Sequence, residues 1–266
     1  MSHAHATNAP PTIIVPHHKC PAAAALPPIR YRSDLGALLR QLGLTGAGAE
    51  LGVQRGIFSA ELLRGWQTCS EFVQVDVWAP LENYDDVANV AQQRQQTFRE
   101  DAEKALQAMV QAGYAKRGVQ CHNFTVSCAS QYPDNHFDFV YVDARHDRLG
   151  VLADLTAWWP KLRGGGVMAG HDYTEQTEPG VRPGAAKRVW DPTRKKENWT
   201  LNFDGTVDRS ARAVKGAVDD FFGGVARGRY GSPRELRRCP RQVMVTYREN
   251  AWNTWVVAKP VGTAYS

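Results

Sequence analysis

Phe137-Asp-Phe-Val-Tyr-Val-Asp-Ala-Arg-His146 and Gly164-Gly-Gly-Val-Met-Ala-Gly-His-Asp172 decide the fold of this 266-residue chain. Each is a short apolar run bounded by turn residues, the pattern of a strand buried on both faces. The stretch between them, 148–161, carries apolar residues at helical spacing. The first strand ends in Asp143 and His146, the second in His171 and Asp172. Carboxylates and imidazoles therefore collect at one edge of a sheet. In open α/β sheets that edge, outside the carboxyl ends of the strands, is where ligands bind.

The same alternation extends outward. Ser33 predicts the cap of a helix running to about Gly43, with Leu35, Leu38, Leu39 and Leu42 on one face. A first strand and glycine turn follow in Gly46–Val53, then a helix over 58–66 and a second strand over 72–76. The spacing of Val87, Val90, Ala91, Phe98, Ala102, Ala105, Leu106 and Met109 predicts a long amphipathic helix over 85–116. A third strand is expected over 119–124, a fourth over 137–143 and a fifth over 166–170. Residues 173–208 read as a loop-rich insertion with a small hairpin about Trp199–Phe203 and Asp204-Gly205. A helix over 210–222 and an antiparallel hairpin of 243–247 with 254–258 close the chain. The expected fold class is α/β: a Rossmann-like doubly wound sheet of five parallel strands plus a C-terminal hairpin, with helices on both faces. Residues 1–30, rich in Pro, Ala and His, are expected to be a disordered leader, and 31–262 one domain.

Composition narrows the function classes. A hydrophobic content of 43% supports a substantial core, and 22% charged residues is ordinary for a soluble protein. No apolar run is long enough for a membrane helix, and no secretory apolar core is present. Five cysteines without a Cys-x-x-Cys pair favour reduced thiols, hence a cytoplasmic setting. The net charge of +5 is concentrated in segments 182–199 and 226–241. Such patches suit an anionic partner or solvated loops equally, and no nucleic-acid motif accompanies them.

Two sets of residues carry the chemistry. In Glu50-Leu-Gly-Val-Gln-Arg-Gly56 a strand runs into a glycine-bearing turn and a helix, which brings backbone close to a ligand. The spacing is not that of a dinucleotide fingerprint. Asp76, closing the second strand, is placed to accept hydrogen bonds from ribose hydroxyls. Trp78 either covers an adenosine or packs, and Ser127 and Cys128 follow the third strand where an adenine would lie. In the second set, Asp143, His171 and Asp172 are candidate metal ligands. His146 and His171 are candidate general bases, since an imidazole near its ordinary pKa needs little tuning. Asp138 and Asp147 read as turn and helix-cap residues, and Trp158 and Trp159 as core.

With these residues in hand, Glu50–Gly56 resembles the first motif of class I S-adenosylmethionine-dependent methyltransferases, with Gln54 in place of the usual middle glycine. Catechol and caffeoyl-coenzyme A O-methyltransferases share that departure. Tyr141-Val-Asp-Ala-Arg-His-Asp147 and Ala153–Tyr173 look like the family of methyltransferase domain 24. The resemblance implies S-adenosylmethionine as cofactor, held by Glu50, Gly52, Gly56, Asp76, Ser127 and Asp143. Glu50 suits its cationic amino-acid end. It also implies transfer of a methyl group to a small hydroxylated acceptor. The resemblance to the metal-dependent enzymes further implies assistance by a divalent metal (magnesium, manganese or similar) at Asp143, Asp172 and His171. His146 then stands where the metal-dependent enzymes place a basic lysine, and a homodimer is one assembly left open. Two rivals remain: an oxidoreductase or hydroxylase with a redox metal at Asp143, His146 and His171, and a noncatalytic nucleic-acid-binding module using the basic segments.

Overall fold

The computed structural model describes residues 25–176, 197–210, 212–249 and 252–261. Most of the leader and the basic stretch of the insertion, Trp190 included, lie outside the described residues. A 3-10 turn, Arg32–Asp34, leads into α1 (Leu35–Gln41). Then follow β1 (Ala47–Leu51), α2 (Ile57–Gly65), β2 (Glu71–Asp76), α3 (Gln92–Gln111), β3 (Gly118–His122), α4 (Thr125–Ala129), β4 (Phe137–Val142), α5 (Arg148–Trp158) and β5 (Leu162–Gly170). The chain finishes with α6 (Ala213–Phe222), α7 (Arg234–Arg238), β6 (Met244–Val245) and β7 (Trp255–Ala258).

These strands form one sheet in the order β3-β2-β1-β4-β5-β7-β6. The first five are mutually parallel, and β7 runs antiparallel between β5 and β6. The expected five parallel strands plus hairpin are therefore present. Parallel strands need covering on both faces, which explains why β1 and β4 are buried along their whole length. One face packs Trp158, Trp159, Phe221, Phe222 and Trp255 under α5 and α6. The other packs Phe58, Trp66, Phe139 and Tyr141 under α1 and α2. Each such side chain contributes roughly 1.5–3 kcal/mol of burial. The buried Lys259 ammonium donates to Trp159 O and Leu162 O, satisfying carbonyls beyond the end of α5. Burial lowers its pKa to about 8.

Two expectations need correction. The helix predicted over 85–116 spans only Gln92–Gln111. Before it, Asp86 accepts from Ala88 N at 2.8 Å, and Asn89 bonds Leu81 N, Leu81 O and Tyr84 O at 2.7–2.9 Å. Side chains of Asp and Asn that bind nearby backbone compete with helix formation, so 85–91 become a pocket-facing loop. Gly113 at φ +77° ends the helix early. The reduced-thiol expectation also fails. Cys121 at the end of β3 and Cys128 on α4 form a disulfide with Cα atoms 6.1 Å apart, and Cys239 is disulfide-bonded too. Cys69 is a free, buried thiol. The linear spacing of Cys121 and Cys128 matches no motif, and only the strand-to-helix turn brings them together.

Candidate active site

At the end of β1 the chain turns through Gly52 at φ +82° and Gln54 at φ +52° to Gly56 at φ +72°, which precedes α2. A Cβ on Gly52 would stand 2.0 Å from Asp143 O, so only glycine fits between β1 and β4. Asp76 fixes this turn. Its Oδ2 accepts from Val53 N at 2.9 Å and Gln54 N at 3.0 Å, and its Oδ1 accepts from Trp78 N at 2.9 Å. Trp78 packs, its indole donating to Gln54 O. Glu50 is buried and accepts from Ser59 Oγ, which in turn accepts from Gln74 Nε2 at 2.9 Å. Burial pushes its carboxyl up to about 8.

The second set stands at the ends of β4 and β5. His146 Nε2 lies 3.1 Å from Asp172 Oδ2 and 3.6 Å from Asp143 Oδ1. His146 Nδ1 donates to Asp86 Oδ2 at 3.0 Å, and the Trp199 indole donates to the same oxygen at 2.9 Å. Tyr84 OH donates to Ala144 O at 3.1 Å, and the Trp199 ring lies 4.5 Å from that of His146. His171 Nδ1 pairs with Asp172 Oδ1 at 3.2 Å, and Asp172 itself sits at φ +53°. Burial opposes charge on all these groups. Their mutual pairing outweighs it, raising His146 and His171 and lowering Asp86 and Asp172.

Asp143, His146 and Asp172 offer ligand atoms within 4.8 Å of one another. His146 thus takes the place in the cluster that the sequence reading gave to His171. The donors fit a metal on one further observation: His146 Nε2 is buried between the Asp143 and Asp172 carboxylates, 3.1 Å from Asp172 Oδ2, without a well-aligned hydrogen bond to either. With Nδ1–H committed to Asp86, Nε2 is the nitrogen that faces both carboxylates. Protonated it pairs with them, and deprotonated it would offer its lone pair to a metal, the carboxylate–imidazole arrangement that orients a metal ligand. Two carboxylates and an imidazole suit manganese, iron or zinc better than magnesium.

One cavity of about 930 Å³ joins both sets, lined among others by Glu50, Gly52, Asp76, Asp143, His146, His171 and Asp172. Its size is that of a small-molecule site. Gly56 lies outside the lining and serves the turn. Ser127 is exposed on α4 and also lies off the wall, which Asn123, Phe124, Thr125 and Val126 form instead. The short helix after β3 rotates Ser127 outward and Cys128 into the core. Asp138 accepts from Thr45 N and Gly46 N, and Asp147 caps α5 through Gly150 N, both as expected of turn and cap residues. Sequence reasoning missed Asp86, Tyr84 and Arg32 on the wall. Asp86 was hidden because 85–91 read as helix surface; the Asp86/Asn89 pair was the available signal of a loop.

Residues 49–173 match the family model described as a methyltransferase domain. No curated protein matches the chain. Among solved structures, an O-methyltransferase from Bacillus cereus in complex with SAH is similar at 14% identity. It covers 86% of this chain and 80% of its own, with a TM-score of 0.49. The O-methyltransferase TomG from Streptomyces achromogenes, in complex with SAM, is 16% identical, covers 86% and 79%, and has a TM-score of 0.46. The matched residues 49–173 run from β1 to just past the end of β5, and so take in the strand ends that carry both sets of site residues.

Proposed function

We propose that this protein transfers the methyl group of S-adenosylmethionine to a hydroxyl of a small molecule, with a divalent metal at Asp143, His146 and Asp172. The observation that carries this reading is the single cavity joining the Gly52–Asp76 turn to the Asp143–His146–Asp172 cluster. S-adenosylmethionine supplies a sulfonium methyl open to in-line displacement. A metal, when bound, lowers the pKa of the acceptor hydroxyl and fixes its direction. The protein supplies alignment. Gly52 and Asp76 shape the turn against which the nucleoside lies, and the carboxylate lone pairs left on Asp76 face ribose hydroxyls. Tyr84, Trp199, Trp252, Phe203 and Tyr230 wall the acceptor end with aromatic surface. That surface excludes water and grips the apolar face of a ring. Asp86 holds the His146 ring, and Asp172 holds His171 through Nδ1, leaving His171 Nε2 to take the hydroxyl proton.

Calorimetry with S-adenosylhomocysteine tests the cofactor end; no binding would defeat the reading. Methyl-transfer assays over a panel of phenols, sugars and polyketides, with and without chelator, test the other end. Activity restored by manganese after chelation is the expected result. Activity indifferent to chelator would leave His146 Nε2 as a metal-free base and remove the metal from the reading.

A further inference from the structure

Three guanidinium groups line the cavity: Arg32, Arg55 and Arg145. Arg55 pairs with Asp101 at 2.9 Å, and Arg145 pairs with Asp147. Arg32 makes no ion pair within 4.0 Å among the described residues. Its guanidinium lies 5.3 Å over the Phe58 ring and beside Tyr141, with Asp143 and Glu61 near enough to favour its charge. A partly buried guanidinium that faces a cavity and has no carboxylate in direct contact among the described residues can take an anionic group from a ligand.

Its position is built by distant parts of the chain. Arg32 N donates to Glu249 Oε1 at 2.7 Å, and Arg248 N donates to Arg30 O at 3.1 Å. Glu249 is held by Thr246 Oγ1 and by Thr254 N at 2.9 Å. The turn between β6 and β7 therefore clamps the segment before α1 over the end of β4. Arg32 and Glu50 line the same cavity, and the charge of Arg32 favours ionisation of the Glu50 carboxyl. A ligand end that carries one positive and one negative group would fit between them.

We propose that Arg32 receives the α-carboxylate of the cofactor's amino-acid end while Glu50 receives its ammonium, with Glu249 as the positioning residue for Arg32. This rests on the cofactor reading above. It assigns to the N-terminal segment, outside residues 49–173, a part of the cofactor site. Only a ligand bearing the amino-acid head depends on Arg32; the nucleoside does not.

The test is calorimetry of the full chain with S-adenosylhomocysteine and with 5′-methylthioadenosine, which lacks that head. Arg32→Ala is expected to weaken S-adenosylhomocysteine about 10- to 100-fold, the range of a lost charge-assisted hydrogen bond, and to leave 5′-methylthioadenosine unchanged. Arg32→Lys, keeping the charge without the fork, should recover part of the loss. Glu249→Gln should weaken the same ligand selectively and less. Unchanged S-adenosylhomocysteine affinity in Arg32→Ala overturns the proposal, as does an equal loss for both ligands. In either case wild-type binding leaves the cofactor reading intact. A wild-type chain that binds neither ligand overturns both.

Discussion

The two ends of the cavity are built in different ways. At the glycine-turn end, the contacts that matter join residues close in sequence: Asp76 to Val53 and Gln54 at separations of 23 and 22, and Ser59 to Glu50 at 9. At the acidic end, Asp86 meets His146 across 60 residues and Trp199 meets Asp86 across 113. The near end is mostly backbone, shaped by dihedral angles and N–H donors. The far end is mostly charged side chains, each kept ionised by its neighbours against burial. Substitutions at the first should therefore disturb folding and binding together. Substitutions at the second should disturb chemistry while the fold survives.

The sharpest way to break that contrast is Asp172→Ala. Turnover is expected to fall by about 10³-fold, the scale of a lost metal or proton-transfer group. The S-adenosylhomocysteine dissociation constant should stay within a few-fold; a parallel collapse in affinity would show that the two ends are not separable. Gly52→Ala probes the other side. With Asp143 O only 2.0 Å from the added Cβ and φ at +82°, it should cost about 3 kcal/mol or more, read in thermal or urea unfolding. A variant of wild-type stability would mean that β1 and β4 are less closely apposed than described.

Asp86→Asn should lower activity by about 10- to 100-fold, the usual effect of losing a carboxylate that orients a ligating imidazole. Its cofactor affinity should not change, which titration calorimetry beside steady-state kinetics would establish. Glu50→Gln gives the most pH-dependent effect. The Glu50 carboxyl is raised from 4.5 to about 8 by burial, so the folded chain keeps a proton that the unfolded chain releases between those values. Wild-type stability relative to the Gln variant should fall as pH rises through that window, by at most about 1.4 kcal/mol per pH unit, and level off outside it. Melting curves from pH 4.5 to 9 would show the variant gaining over wild type; a constant difference would mean that Glu50 is ionised throughout.

Much of the fold could be read from local pattern. The runs at 137–142 and 166–170, the alternation with helices and the glycine turn each leave a signature within a dozen residues, because strand burial and helix amphipathicity are short-period properties. Where local signals conflicted, the reading failed. Val87, Val90 and Ala91 kept helical spacing, yet Asp86 and Asn89 bind the backbone around them and make a loop. Ser127 kept its distance from β3, yet α4 turns it to solvent. The exchange of His171 for His146 in the acidic cluster had no local signal. Asp172 at positive φ directs its carboxylate to both imidazoles, and spacing along the chain does not report which nitrogen lies nearer Asp143.

By itself, then, the sequence determined the order of the strands and main helices around the glycine turn, and that carboxylates and imidazoles end two neighbouring strands. Only the tertiary structure decided that Asp86 and Trp199 lock His146, that the β6–β7 turn sets Arg32 over the cavity, and that Cys121 meets Cys128. The reason is physical. Local preferences act over a few dihedral angles, whereas these contacts exist only once the sheet and its covering helices have fixed segments tens of residues apart.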